Sequence, residues 1–172
     1  MYDFDIEGSK NTHINVYVYK EIPVICVEAD FAKEMVLDPE GMYVKFPLRL
    51  NNGEWYLDKA GAFFKPGCQL PDTCCDYYPV NRGVALVGDK NVITVNCFDT
   101  PLVTFNKIKL WDFTLKAENK GDLYSWITNN KWETNFRAAC AGFIESRYRI
   151  AFGNNALEQL EENEYEFLVL RR

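Results

Sequence analysis

The residues best suited to chemistry lie in one segment of the sequence, Leu123–Phe136. Residues 126–135 include three asparagines, two threonines and two tryptophans. An asparagine amide can donate and accept hydrogen bonds, which suits sugar hydroxyls, and a tryptophan offers an apolar face to a pyranose ring. The same residues suit a structured turn in which asparagines satisfy backbone groups and tryptophans fill the core. On chemistry alone the structural interpretation is favoured. The candidate site residues are Asn129, Asn130, Trp132, Thr134 and Asn135.

The sequence contains few residues suited to metal binding or nucleophilic catalysis. The only histidine is His13, whereas a structural zinc site needs four Cys or His ligands with short paired spacings. Cys68, Cys74 and Cys75 lack that spacing. No G-x-S-x-G nucleophile motif and no glycine-rich phosphate loop occurs. We therefore predict neither a metal site nor a catalytic site within this chain.

Paired carboxylates, the groups that glycosidases use, cannot be selected by spacing. Twenty-five acidic residues among 172 make chance pairs easy to find, and a solvated surface position is favoured for each. The acidic stretch Glu158–Glu166 is interpreted in the same way, as a solvated helix face and strand edge. The acidic residues in or beside aromatic segments are Asp72, Asp76, Asp99, Asp112, Glu133 and Glu145.

Charge and hydropathy exclude several classes of protein. The net charge is −6 and the pI is near 4.9, whereas a general nucleic-acid binder carries a basic surface. No apolar run reaches the 18 residues typical of a membrane-spanning helix. The N-terminal residues lack the pattern of a signal peptide, and the six cysteines are expected to be reduced. We therefore expect a cytoplasmic protein that binds neither nucleic acid nor a membrane.

Alternation of apolar and polar residues with a period of two dominates the sequence and predicts β-strands. About ten short strands, with turns every 8–12 residues, predict a mostly β protein with one antiparallel β-sandwich domain. Asn51-Asn52-Gly53 is a hairpin signal, and Pro66–Pro79 indicates a long loop. The predicted strands are Ile14–Tyr19, Val24–Ala29, Met42–Leu50, Glu54–Leu57, Val84–Val87, Val92–Phe98, Leu102–Phe105, Lys107–Leu115, Leu123–Ile127, Gly142–Phe152 and Tyr165–Leu170.

Helix is predicted in two places only. Asn155 can cap a helix over residues 156–162, in which Leu157 and Leu160 lie on one face. Phe31–Met35 is the second candidate. One or two short helices are thus expected beside the strands.

The segment Tyr124–Phe136 resembles an N-N-x-W-x-T-N-F signature in the C-terminal portion of family 38 glycoside hydrolases, the α-mannosidase family. Other pieces resemble strands of the same region and follow in the same order. The signature is fairly specific, and the other pieces gain weight from their order. These pieces are Tyr17–Pro23 with Lys33-Glu34, Glu40–Leu48, Gly83–Leu86, Asp99–Val103 and Gly142–Ile150.

The resemblance implies a fold and a role. The fold would be a supersandwich of the galactose-mutarotase type, with residues 1–172 forming one domain of a larger glycosyl hydrolase. In the family, a separate N-terminal barrel carries out retaining hydrolysis of α-mannosides and supplies the carboxylates and the zinc ligands. The chain would then be non-catalytic, with zinc expected only in the barrel. The five candidate residues would brace the barrel interface or border the carbohydrate cleft.

Two other functions fit the same residues. A freestanding carbohydrate-binding module predicts sugar affinity, with Trp126 or Trp132 exposed. A structural or oligomerisation domain predicts a homo-oligomer without sugar contact. A domain separated from its barrel is also expected to expose apolar surface and to self-associate through it.

Overall fold

The chain folds into two antiparallel sheets. The structure is a computed structural model that describes residues 2–109, 112–130, 139, 141–154 and 156–158. The strands are β1 (Tyr2–Ile6), β2 (Ser9–Val18), β3 (Val24–Lys33), β4 (Gly41–Phe46), β5 (Glu54–Lys59), β6 (Ala62–Phe64), β7 (Tyr78–Pro79), β8 (Gly83–Val87), β9 (Val92–Cys97), β10 (Leu102–Phe105), β11 (Leu123–Asn129) and β12 (Gly142–Phe152). The large sheet has the strand order β1-β2-β3-β12-β9-β8-β5-β6, and the small sheet has the order β4-β11-β10-β7. The predicted antiparallel β-sandwich is confirmed, whereas the supersandwich topology stays a prediction.

Aromatic side chains join the two sheets across the core. Trp55 of the large sheet stacks on Phe105 of the small sheet, with 5.5 Å between the ring centres. Phe46 meets Tyr148 edge to face at 4.9 Å. Trp55 and Phe105 are almost completely buried, and burial of each such side chain stabilises the fold by about 2–3 kcal/mol. These aromatic side chains therefore contribute to the hydrophobic core between the sheets.

A buried group of hydroxyls also links the sheets. Thr100 Oγ1 lies 2.9 Å from both Ser125 Oγ and the Tyr148 hydroxyl, and the Tyr148 hydroxyl lies 3.1 Å from Ser125 Oγ. Burial raises the pKa of Tyr148 to about 12. These mutual contacts satisfy polar groups that would otherwise destabilise the core.

The hairpin predicted at Asn51-Asn52-Gly53 is wrong, although the segment is a turn. Gly53 N donates to Leu50 O at 3.0 Å, and Asn52 has a φ of 51°. The strands on either side, β4 and β5, belong to different sheets. The turn residues determine the local reversal, but Pro47 follows the end of β4 and the chain then crosses between sheets.

Two further predictions of regular structure are wrong. The described residues of Lys107–Leu115 form no strand, because the backbone around Thr114 bonds to Asp76 and Cys75 instead. The helix at Phe31–Met35 is absent because Phe31–Lys33 end β3, paired with β12. In both cases, hydrogen bonds to distant parts of the chain determined the backbone conformation, and the local sequence pattern did not.

Residues 156–158 form a short helical segment, which is the described part of the predicted helix over residues 156–162. Thr94 Oγ1 donates to Ala156 O at 3.2 Å and ties this segment to the large sheet. The predicted strand Tyr165–Leu170 lies outside the described residues. Within the described ranges, no helix is long and apolar enough to cross a membrane.

Candidate functional site

The described part of the candidate segment, residues 123–130, consists of β11 and Asn130, and β11 lies in the interior of the small sheet. β11 pairs with β4 on one side and with β10 on the other. Asn129 ends β11 opposite Gly41 of β4, and Asn130 follows it. Trp132, Thr134 and Asn135 lie outside the described residues, so the structure places Asn129 and Asn130 only.

Asn130 holds a distant loop through its side-chain amide. Its Nδ2 donates to Val36 O at 2.9 Å and to Asp38 O at 2.7 Å. Its Oδ1 accepts from the backbone N–H of Glu40, and its own backbone N–H donates to Glu40 O at 3.1 Å. Both amide protons and the amide oxygen are therefore bonded to backbone, as in the structural interpretation of the asparagines.

The segment that Asn130 holds is residues 34–40, called here the 34–40 loop. Glu34 N at its start donates to Gly8 O at 2.9 Å. Glu40 at its end forms an ion pair with the ammonium of Lys33, whose side chain is only 3% exposed. Lys33 Nζ also donates to Glu34 O at 2.7 Å. The loop is thus fixed at both ends and in the middle.

The 34–40 loop exposes two large apolar side chains. Leu37 is 81% exposed and Met35 is 49% exposed. Leu37 lies between Val36 and Asp38, the two residues whose carbonyl groups accept from Asn130. Neither side chain is among the candidate site residues predicted from the sequence. Their only signal in the sequence is an apolar run, Met35–Leu37, that ends at Asp38-Pro39.

Trp126 is buried beneath other aromatic side chains. It is 7% exposed, it stacks on Tyr43 with 5.6 Å between ring centres, and Tyr77 meets it edge to face at 5.2 Å. Its Nε1 donates to Thr128 O at 2.8 Å. The ring face that a sugar would need is therefore covered.

A cavity of about 460 Å³ opens between the two sheets beside this segment. Most of its lining side chains are apolar, and Glu7, Thr12, Tyr43 and Lys45 supply the polar groups. The hydroxyl of Thr12 lies 3.2 Å from Ser9 Oγ. The main apolar lining residues are Ile14, Ala29, Phe31, Met42, Val44 and Ile127.

Asp76, one of the acidic residues beside aromatic segments, is buried and accepts hydrogen bonds from a distant backbone segment. Asp76 is 1% exposed, and it accepts from Phe113 N at 2.8 Å and from Thr114 N at 3.0 Å. Burial raises the pKa of Asp76, but the hydrogen bonds from Thr114 and Phe113 outweigh it and hold the pKa below its ordinary value. The ionised carboxylate therefore stabilises the backbone at Phe113 and Thr114.

Asp99, another of these acidic residues, forms an ion pair with Arg147. Arg147 Nε and Nη2 donate to the two oxygens of Asp99 at 2.8 and 2.7 Å, and Arg147 Nε lies 3.0 Å from Glu145. Asp72 and Asp112 are exposed. Glu133 lies outside the described residues.

His13 lies on the outside of the large sheet, where its Nδ1 is 2.9 Å from Asp30 Oδ1. No group of three or more His, Cys, Asp or Glu side chains suited to a metal ion occurs among the residues described. Cys26, Cys68, Cys74, Cys75 and Cys97 are free thiols.

Comparisons with family models, with curated proteins and with solved structures found no match to this chain. The mannosidase resemblance accordingly stays a prediction from the sequence.

Proposed function

We propose that this chain is a non-catalytic β-sandwich domain of an α-mannosidase-like glycoside hydrolase, and that it supports a separate catalytic domain. The observation that carries the proposal is the contact between Asn130 and Glu40. Asn130 belongs to the N-N-x-W-x-T-N-F signature, and Glu40 opens another resembling piece 90 residues earlier. Side-chain and backbone hydrogen bonds join them.

The neighbouring strands extend this agreement. The Glu40–Leu48 piece contains β4, and the Asp99–Val103 piece leads into β10. Both strands pair directly with β11, which carries the signature. Three of the six resembling pieces thus meet in the small sheet, and the other three belong to strands of the large sheet.

The local chemistry favours a supporting role over sugar binding. The amide of Asn130 is fully used by backbone groups, Trp126 is covered, and the adjacent cavity is mostly apolar. In this proposal catalysis and zinc belong to the companion domain. A cytoplasmic location is part of the proposal, since free thiols suit a reducing compartment.

The first test is the DNA upstream of the Met1 codon. An open frame that continues for several hundred residues and encodes clustered His and Asp residues supports the proposal. The product of that longer frame should hydrolyse p-nitrophenyl α-mannoside, whereas this chain alone should not.

A stop codon directly upstream would remove the companion domain and overturn the proposal. Titration of this chain with mannose and mannobiose then separates the other functions. Saturable binding indicates a carbohydrate-binding module, and no binding with a stable oligomer indicates an assembly domain.

A further inference from the structure

Four side chains form a row on the outer face of the large sheet, called here the outer row. Tyr17 of β2 lies opposite Cys26 of β3. Arg149 of β12 lies between Cys26 and Asn96 of β9. Directly opposed residues of an antiparallel sheet share a face, with their Cβ atoms about 5 Å apart. The residues on either side of Cys26 and Arg149 along their strands pack on the core, so the outer row points away from the core.

Arg149 is the unusual member of the outer row. It is only partly exposed, yet within the described structure its guanidinium has neither an ion pair nor a hydrogen bond. The amide oxygen of Asn96 is not its acceptor, because that atom is buried without a hydrogen-bond partner. By contrast, Arg147 on the same strand donates to Asp99 at 2.8 and 2.7 Å. A partly desolvated guanidinium carries five donors that an anionic ligand would satisfy.

Two exposed tyrosines stand on the other side of Cys26. Tyr17 is 46% exposed, and Tyr19, which follows β2, is 50% exposed. The pKa of Tyr19 is raised mainly by the Cys26 thiol, and Arg149 acts in the opposite direction, so these three groups lie close together. Strands β2 and β12 lie on either side of β3 and are therefore about 10 Å apart. The small side chain of Cys26 thus forms the floor of a gap between aromatic rings and a cation.

The charges around this gap favour a singly charged ligand. Arg149 supplies one positive charge, and its planar fork matches a carboxylate through two parallel hydrogen bonds. Glu28, two residues from Cys26 on β3, accepts from the hydroxyl of Tyr17 at 3.0 Å and adds negative charge nearby. A doubly charged phosphate would meet more of this repulsion than a carboxylate. The tyrosine rings suit a ligand body with an apolar face.

We infer that the outer row binds a ring-bearing monocarboxylate, with its carboxylate on Arg149 and its ring against Tyr19, above the thiol of Cys26. Aromatic acids and sugar acids both offer these two groups. The inference goes beyond the proposed function and does not depend on a companion domain.

Alkylation of Cys26 by iodoacetamide tests the site, because a bound ligand covers the thiol. Mass spectrometry follows the rate at each cysteine of this chain as benzoate or glucuronate is added. We expect saturable protection of Cys26 by at least one of these acids, and the better protector identifies the kind of ring. Acetate, which lacks a ring, and the uncharged benzamide and glucose should protect far less. The exposed thiols of Cys68 and Cys74 are internal references whose rates should not change.

Two matched variants separate the guanidinium from the overall charge. Arg149→Gln should weaken the protecting acid about tenfold or more, because a charge-assisted hydrogen-bonded pair is lost. Arg49→Gln makes the same change of charge at an exposed arginine that pairs with Asp122 outside the outer row, and it should keep the affinity. Arg149→Gln removes no hydrogen bond or ion pair found among the described residues, so its melting temperature should not fall and loss of binding is not loss of the fold.

Three results would overturn the inference. The first is an unchanged alkylation rate at Cys26 with both acids. The second is equal protection in Arg149→Gln and the unmodified chain, because the guanidinium would then not hold the ligand. The third is equal protection by acetate and the ring-bearing acids, because the tyrosine would then contribute nothing. None of these results bears on the upstream reading frame, so the proposed function stands or falls separately.

Discussion

Asn130 offers the sharpest test of the structure, because one side chain holds a loop that is 90 residues away in the sequence. We consider Asn130→Asp, which keeps the shape of the side chain. The carboxylate can still accept from Glu40 N, but it cannot donate to the carbonyl oxygens of Val36 and Asp38. It also brings a negative charge against both of these oxygens.

The expected loss of stability follows from the number of hydrogen bonds. Each contributes about 0.5–1.5 kcal/mol, so the two lost donations account for about 2 kcal/mol. Repulsion between the new carboxylate and the carbonyl oxygens of Val36 and Asp38 adds to this loss, because partial negative charge close to a carboxylate disfavours its ionised form. The penalty should therefore shrink as the pH falls and the carboxyl becomes protonated.

Urea denaturation followed by tryptophan fluorescence measures the effect. With a slope of about 2 kcal/mol per molar urea, the midpoint of Asn130→Asp should fall by about 1 M at pH 7 and by less at pH 4, each relative to the unmodified chain at that pH. Leu37→Ala is the matched control in the same loop, and it should leave the midpoint unchanged. A shift below about 0.2 M for Asn130→Asp would refute the bracing role.

Three further predictions concern the core and the pH response. Tyr148→Phe should lower the free energy of unfolding by about 1–2 kcal/mol, because it removes the buried hydroxyl that lies beside Thr100 Oγ1 and Ser125 Oγ and leaves these two to bond only to each other and to backbone. Urea titration measures this change, and an unchanged midpoint would contradict the hydroxyl network. Trp126→Ala should cost about 3–5 kcal/mol without altering a mannose titration, and a change in sugar affinity alone would contradict its core position. Since the pKa of Asp76 is lowered by folding, its stabilising effect is present above the unfolded pKa and disappears as pH falls through the folded pKa; Asp76→Asn should flatten the acid side of a melting-temperature profile, and an unchanged profile would contradict the clamp.

Most strands could be predicted because their residues either alternate, as in Ile14–Tyr19, or form short apolar runs between turn signals. The predicted runs Val24–Ala29 and Val92–Phe98 fall on β3 and β9 of the large sheet, and Leu102–Phe105 is β10 of the small sheet. The alternating pattern wrongly predicted a strand at Lys107–Leu115. There the buried carboxylate of Asp76 accepts hydrogen bonds from the backbone N–H groups of Phe113 and Thr114. That carboxylate is 37 residues away in the sequence, which a short window cannot detect.

The candidate site could be predicted only in part. The sequence identified Asn130 as notable because an asparagine amide has both donors and acceptors. It could not show whether those groups meet a sugar, a neighbouring domain or the chain's own backbone. The answer depends on the 34–40 loop, which the sheet brings to the end of β11 by pairing β4 with β11.

By itself, the sequence determined which residues alternate and where the chain turns, since these are local properties of side-chain size, polarity and backbone preference. The tertiary structure alone decided which strands became neighbours, and hence that Asn130 supports Leu37 and that Trp126 is covered by Tyr43 and Tyr77. The physical reason is that these contacts join residues tens of positions apart. Their free energy depends on distances that exist only after both sheets have packed together.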